Sequence, residues 1–443
     1  MENSKRKISF NFGAKGWIVT IFAMLVFLFV YLWENGLNYF IPAYAAEYGW
    51  STSYLYGCQT IGYVIGCAAM IVMGRIIRKN GSKGVMTVTM GLGVIAMFII
   101  SKATTLALYS VGAILFPACS CIFCWQCVGD LGVNWFPKKR GLYMGFATLG
   151  IVISMFIVNG VIFPYMQKAG AESAIFRLAV LGLLLMVFLI LVIRSNPEQA
   201  GAYPDNDRSI SYEEVKKRNA VGEAHRLSSE WNSYGKCLKS PAVWIITLST
   251  GLILLIQRGC MASMVPALMS FGHEQATAAN LMMISGALAL VCSLAGGMVD
   301  EKLGTRHAMT VCGIAGAAAC ILFAFFSSSA VVAEIALILL GYAGSAGNNY
   351  QPSFTAEIFG RYDFDVPYSL IICMSTALSS LGYVAISSIG TNHSFQAAYL
   401  VCCVLSIISI IMTVTYKGRY EGRKELDQEE IDKLYEKIMS KQA

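Results

Sequence analysis

Apolar runs of about 17 to 28 residues recur along almost the whole chain, and nearly all the charge sits between them. An α-helix rises about 1.5 Å per residue, so about 20 residues cross the hydrocarbon core of a bilayer. Repeated runs of that length make this an all-α membrane protein. Composition agrees: of 443 residues 56% are apolar and 13% charged, against roughly 25% charged in a soluble domain. A soluble enzyme, a nucleic-acid binder and a secreted disulfide scaffold are set aside, and the lipid bilayer is the expected partner. The net charge of +7 is topological.

Twelve spans are expected, near residues 17–41, 53–73, 84–100, 106–135, 142–166, 174–193, 241–269, 276–299, 307–326, 331–358, 366–389 and 395–416. The first is too long for a signal-peptide core of about 7–15 residues, although Lys5-Arg6-Lys7 precedes it and Ala43-Tyr44-Ala45 mimics a cleavage site. Twelve spans put both termini on one side. That side takes 29 of the 33 Lys and Arg, and the other receives Lys102 and Lys168, with Arg177 and Arg258 inside spans. The positive-inside rule makes the basic side cytoplasmic. The resulting division is a first half over 1–193, a cytoplasmic linker over 194–240, a second half over 241–416 and a tail over 417–443. In the linker Ser211 and Glu214 have the spacing of a capping box. In the tail Ile431, Leu434, Tyr435 and Ile438 are spaced for a short amphipathic helix.

The halves superimpose in sequence. Gly74-x-x-x-Arg78-x-x-Gly81-x-Lys83 follows the second span, and Gly297-x-x-x-Glu301-x-x-Gly304-x-Arg306 follows the eighth, at a numbering offset of 223. Gly49 with Gly272 and Phe136 with Phe359 hold the same offset, and Pro42-Ala43 with Pro266-Ala267 differs from it by one. The chain reads as two parallel six-helix repeats, an arrangement that places a site between the repeats near mid-membrane.

Two six-helix halves, a long linker and Gly-x-x-x-acid-x-x-Gly-x-basic after the eighth span resemble the major facilitator superfamily. The first copy departs from that pattern by placing Arg78 at the acidic position, while the second keeps Glu301 beside Asp300. Tyr48-Gly49-Trp50-Ser51, Trp135-Phe136-Pro137-Lys138-Lys139-Arg140-Gly141-Leu142, Asn196-Pro197-Glu198 and Glu357-x-Phe359-Gly360 narrow the resemblance to the oxalate/formate antiporter and monocarboxylate porter branch. The resemblance implies a carrier working by alternating access, with the acidic motif position latching a cytoplasmic gate. It also implies that oxalate carriers use basic residues in spans eight and eleven. Those spans here contain neither Lys nor Arg, so oxalate is not the expected substrate.

A charge inside a span costs about 2.5–3.5 kcal/mol, so each one needs a reason. Glu34 and Arg258 each sit eight residues before a proline, Pro42 and Pro266, at matching depths in spans one and seven. Either Arg258 binds an anionic substrate while Glu34 competes for it or carries a proton, or the two form an ion pair that only closes the outer gate. Trp125-Gln126 maps onto Asn348-Asn349 by the 223 offset, with Tyr350 and Gln351 adjoining. Amides at one depth serve a carboxylate or join helices. Asn35, Asn38, Gln59 and Tyr63 are further candidates. Trp33, Trp125, Tyr63 and Tyr350 suit a larger, partly apolar acid. Asp130, close in sequence to Lys138, Lys139 and Arg140, reads as a gate residue, together with Arg78, Glu301, Arg306 and Arg140. Arg177 and Glu334 lie near outer span ends, where snorkelling suffices.

Thirteen of the fourteen cysteines lie in apolar runs, so no disulfide framework is expected. Cys119-x-Cys121-x-x-Cys124-x-x-Cys127 lies on one helix, and one helix cannot close a tetrahedron around a metal. Cys121 and Cys124 map onto Gly344 and Gly347, which points to close helix packing. HExxH, a nucleophile elbow and a P-loop are missing from the sequence, so transport is expected to run on gradients, without metal or cofactor. The reading is a monomeric secondary transporter of an organic monocarboxylate, coupled to a proton or a counter-anion, in a prokaryotic inner membrane. The alternatives are proton-coupled efflux of amphipathic drugs and a non-transporting ligand sensor on a carrier fold.

Overall fold

The computed structural model describes residues 10–416, 420–423 and 426–442. Lys5, Arg6, Lys7, Lys417, Arg419 and Lys424, which enter the charge census, lie outside the described residues. Among the described residues every regular element is helical, and nine helical stretches are long and apolar enough to cross a membrane. Two of these, Tyr54–Ser101 and Arg140–Val192, contain 48 and 53 residues. Straight, each would run about 70–80 Å, more than twice the hydrocarbon thickness of about 30 Å. Both break at a glycine, Gly81 (φ 75, ψ 158) and Gly170 (φ 82, ψ 161), and each therefore supplies two spans. With Asp365–Asn392 the crossings number twelve.

The first span is Gly13–Tyr48, the second and third share Thr52–Ser101, and the fourth runs over Leu106–Trp135. The fifth and sixth share Arg140–Val192. The seventh is Pro241–Ala262, continued by Met264–Ser270. The eighth to twelfth are Gln275–Leu303, Thr305–Phe326, Ala330–Phe359, Asp365–Asn392 and Phe395–Thr415. The repeat extends to backbone conformation: Gly304, the counterpart of Gly81 in the second copy of the motif, has φ 78 and ψ 154. That left-handed turn is open to glycine at little cost.

Close approach of backbones sets the packing within each half. A Cβ on Gly62 would strike the Ile114 carbonyl, one on Gly150 the Met24 carbonyl, and one on Gly382 the Leu255 carbonyl. These are small-residue crossings of spans two with four, one with five, and seven with eleven.

The linker between the sixth and seventh spans folds against one end of the bundle. Its helix Tyr212–Ser228 starts where Ser211 Oγ accepts from the Glu214 amide at 3.3 Å. The Glu214 carboxylate does not reach back to complete the box; it takes Arg218 Nε at 2.8 Å. The tail helix Gln428–Gln442 packs on this linker helix, with Lys217 Nζ 2.8 Å from Asp432 and Ile431 buried.

Hydrogen bonds joining the first six spans to the last six gather at the linker end. Ser293 Oγ donates to the Gly145 carbonyl at 3.1 Å and Tyr368 OH to the Trp125 carbonyl at 3.4 Å. A Cβ on Gly141 would meet Asp300, and one on Gly297 the backbone of Gly141. Further along the same two spans, Gly160 and Gly286 have nothing within 4 Å of a built Cβ. Spans five and eight are pressed together at the linker end.

Candidate functional site

Glu34 and Arg258 lie on opposite repeats within electrostatic reach of each other. Tyr63, on the second span, donates its hydroxyl hydrogen to Glu34 at 2.5 Å. Arg258 acts on Glu34 through its charge. Among the described residues, however, no nitrogen of Arg258 comes within 4.0 Å of a carboxylate oxygen. Both side chains are half-buried, so the guanidinium keeps donors available. Cys67, one helical turn beyond Tyr63, contacts Cys121 of span four and also feels the Arg258 charge. Cys121 in turn lies against Gly66.

Cys121–Gln126 forms a π-helical turn. One extra residue per turn rotates the remainder of the helix, a distortion frequent at functional sites. At its end Gln126 is buried, donates to the Met70 carbonyl at 2.9 Å and leaves its carbonyl oxygen without a partner. Trp125 stays half-buried, edge-on to Phe27 with centroids 4.9 Å apart.

The other amides serve the framework. Thr148 Oγ1 donates to Asn349 Oδ1 at 3.0 Å and lies 2.8 Å from Ser293 Oγ, so Asn349 ties spans five, eight and ten. Asn348 donates to the Gly344 carbonyl of its own helix at 3.0 Å. Gln351 donates to Thr250 at 3.2 Å and to Ser375. Tyr350 and Trp33 are fully buried in the cores of their halves. The Tyr350 hydroxyl donates to the Gly296 carbonyl at 2.9 Å, and the Trp33 indole to Gln59 at 3.4 Å. Asn35 donates to Ser154 at 2.7 Å, and Asn38 is exposed. All fourteen cysteines are free, and no group of three metal-ligating side chains gathers among the described residues.

The second constellation is a charged cluster at the linker end. Asp130 is not paired with Lys138, Lys139 or Arg140, its neighbours in sequence. Its partner is Arg226, from the linker helix, at 3.7 Å. Arg226 also holds Asp365, at the start of span eleven, at 2.7 Å, and Glu223 at 3.3 Å. Arg78 donates to the Arg226 carbonyl and stands 3.6 Å from Asp363, which His225 Nε2 approaches at 2.9 Å. Burial works against the Arg226 charge, yet Asp365, Asp130 and Glu223 outweigh it and hold the guanidinium above its ordinary pKa. Burial would raise the Asp363 carboxyl, but hydrogen bonds from His225 and Ser229 and the nearby His225 and Arg78 charges hold it below the usual carboxylate range.

The basic run goes elsewhere. Lys138 pairs with Asp207 at 2.9 Å, the amides of Lys138 and Lys139 donate to Asp205, and Arg140 lies 4.0 Å from Glu357. Arg306 donates to the Thr413 and Val414 carbonyls at the end of span twelve. Glu301 is half-buried beside the buried Asp300. Arg361 closes the same face through two 2.9 Å bonds to Glu198. Sequence reasoning missed Arg226, Asp363 and Asp365. One signal was present: Arg226 falls on the stripe of Val215 and Gly222, the buried face of the linker helix.

The chain is 25% identical over 290 residues to the oxalate:formate antiporter of Oxalobacter formigenes, a match covering 63% of this chain and 62% of that relative's length. Among solved structures it superimposes on a proton:xylose symporter with TM-score 0.70 and 14% identity, covering 95% of this chain and 98% of the other. A human organic anion transporter gives 0.67 and 12%, over 89% and 98%. The E. coli fucose:proton symporter gives 0.65 and 13%, over 91% and 99%. The family pattern of the Major Facilitator Superfamily matches residues 131–356 and 250–438. Together with twelve spans in two parallel repeats, this shows that the chain belongs to the Major Facilitator Superfamily.

Proposed function

We propose that this protein carries an organic monocarboxylate across the membrane by alternating access, coupled to a proton or to a counter-anion. The observation that carries the reading is Arg258: a half-buried cation within span seven, in electrostatic reach of Glu34 from the other repeat without an ion pair. A cation within a membrane span calls for a counter-charge, and a substrate carboxylate supplies it. Glu34, engaged by Tyr63, is the group that gives way, by taking a proton or by yielding Arg258 to the incoming anion. One guanidinium suits one carboxylate, and the half-buried Trp125 suits an acid with an apolar body. The name of the Oxalobacter relative supports a small carboxylate as the chemical class.

In this reading the halves 1–193 and 241–416 move against each other about the site, 194–240 is the cytoplasmic linker, 417–443 is a cytoplasmic tail, and the protein works as a monomer in the inner membrane. The distribution of Lys and Arg supports that orientation. The test is ligand-induced thermal stabilisation of the purified protein by mono- and dicarboxylates, bile-acid-like amphiphiles and cationic drugs at two pH values, since a ligand of the folded state raises its apparent stability. Stabilisation by monocarboxylates is expected. Stabilisation by cations alone would replace this reading with drug efflux.

A further inference from the structure

Asp130 belongs to span four of the first repeat and Asp365 to span eleven of the second, and the two carboxylates are close enough to contact each other. Two buried acids facing across an interface repel unless a cation lies between them or one takes up a proton. That cation is Arg226, and it comes from neither repeat. It bridges Asp365 at 2.7 Å and Asp130 at 3.7 Å, with all three side chains buried. Its own backbone carbonyl accepts from Arg78, and the preceding residue, His225, meets Asp363 at 2.9 Å. Residues 225 and 226 therefore grip the second-to-third connection, span four and the start of span eleven at once.

We propose that Arg226 is a positioning residue of the transport cycle: the linker inserts it as the cation that holds the linker-end gate shut. When it withdraws, Asp130 and Asp365 face each other bare, and their repulsion parts the two repeats at this end. The linker is thus a working part of the gate as well as a tether. Arg78, which stands in the first-copy motif where an acid is expected, meets the Arg226 backbone carbonyl and the Asp363 carboxylate. The proposal rests on the alternating-access reading above. Its test needs no substrate, so failure of the substrate assignment and failure of the gate show up separately.

The experiment is hydrogen–deuterium exchange on the full chain in nanodiscs, comparing wild type with Arg226→Gln. Peptides covering 141–150, 293–301 and 365–372 report the linker end; peptides covering 155–165 and 280–290 report the other end of the same spans. Arg226→Gln is expected to speed exchange several-fold at the linker end and to leave the far end unchanged or slowed. The triple variant Asp130→Asn, Asp365→Asn, Arg226→Gln, with the repulsion removed, is expected to return the linker end towards wild-type protection. Equal acceleration at both ends would mean that Arg226 merely stabilises the fold, and unchanged linker-end exchange would mean that it holds no gate; either overturns the proposal. If Arg226→Gln fails to fold, Arg226→Lys carries the same test, with intermediate acceleration confined to the linker end expected and either overturning pattern counting as before.

Discussion

Arg78 and Asp363 approach to 3.6 Å across the linker end, and the sequence repeat reverses the charges at the corresponding positions. The counterpart of Arg78 in the second repeat is Glu301, and the counterpart of Asp363 in the first is Arg140. Each repeat thus brings its Gly-x-x-x-x-x-x-Gly turn towards the start of span five or eleven in the other half. One copy brings Arg78 to Asp363; in the other, Arg140 lies 4.0 Å from Glu357 and a Cβ on Gly141 would meet Asp300. Breaking a buried pair on one side leaves an uncompensated charge, which costs about 3–5 kcal/mol. Arg78→Gln or Asp363→Asn alone is expected to lower the melting temperature markedly, while the exchanged pair Arg78→Asp with Asp363→Arg recovers part of the loss. A melting point for the exchanged pair below both single variants would refute the pairing.

Arg258→Gln is expected to abolish carboxylate-induced thermal stabilisation while leaving the melting temperature of the unliganded protein near wild type, because the arginine has no carboxylate partner to lose. Undiminished uptake in Arg258→Gln vesicles would remove the arginine from substrate binding.

Glu34→Gln is expected to flatten the dependence of uptake on external pH. Tyr63→Phe, which removes the 2.5 Å hydrogen bond, is expected to displace that dependence without abolishing it. Uptake rates measured in proteoliposomes across mildly acidic to mildly alkaline pH decide this. An unchanged profile in both variants would leave Glu34 a gate residue only.

Gly382 faces the Leu255 carbonyl, and Gly259 on span seven faces Gly382 in return. A methyl group on Gly382 forces this crossing apart, and overpacking of this kind costs about 1–3 kcal/mol. Gly382→Ala is expected to destabilise the purified protein, whereas Gly286→Ala, with nothing within 4 Å, leaves its melting temperature unchanged.

The Asp363 carboxylate is held below its ordinary value, which fixes the sign of an acid effect. A carboxyl depressed in the folded state contributes full stability above its unfolded pKa of about 3.9 and loses it as pH falls through the folded value. Protection of the linker-end peptides is expected to stay flat, as far as this group governs it, from neutral pH to about 5 and to weaken below about 4. Asp363→Asn would remove that acid limb, and its persistence in the variant would assign it to another carboxyl.

The sequence by itself determined the spans and the repeat. Hydropathy over about 20 residues and a constant numbering offset are properties of the chain read along its length. It also identified Glu34 and Arg258, because a charge within an apolar run stands out wherever the run ends up. Tertiary structure alone decided partners. Asp130 sits eight residues before Lys138 in sequence yet binds Arg226, from a different element far along the chain. Tyr350 is polar enough for a binding site, but its hydroxyl is spent on the Gly296 carbonyl inside its own half. Arg226 reads as one more solvated linker charge until folding places it between two acids from different repeats. Ion pairing falls off with distance in space and is blind to distance along the chain, so a residue's charge is legible in the sequence and its counter-charge is not.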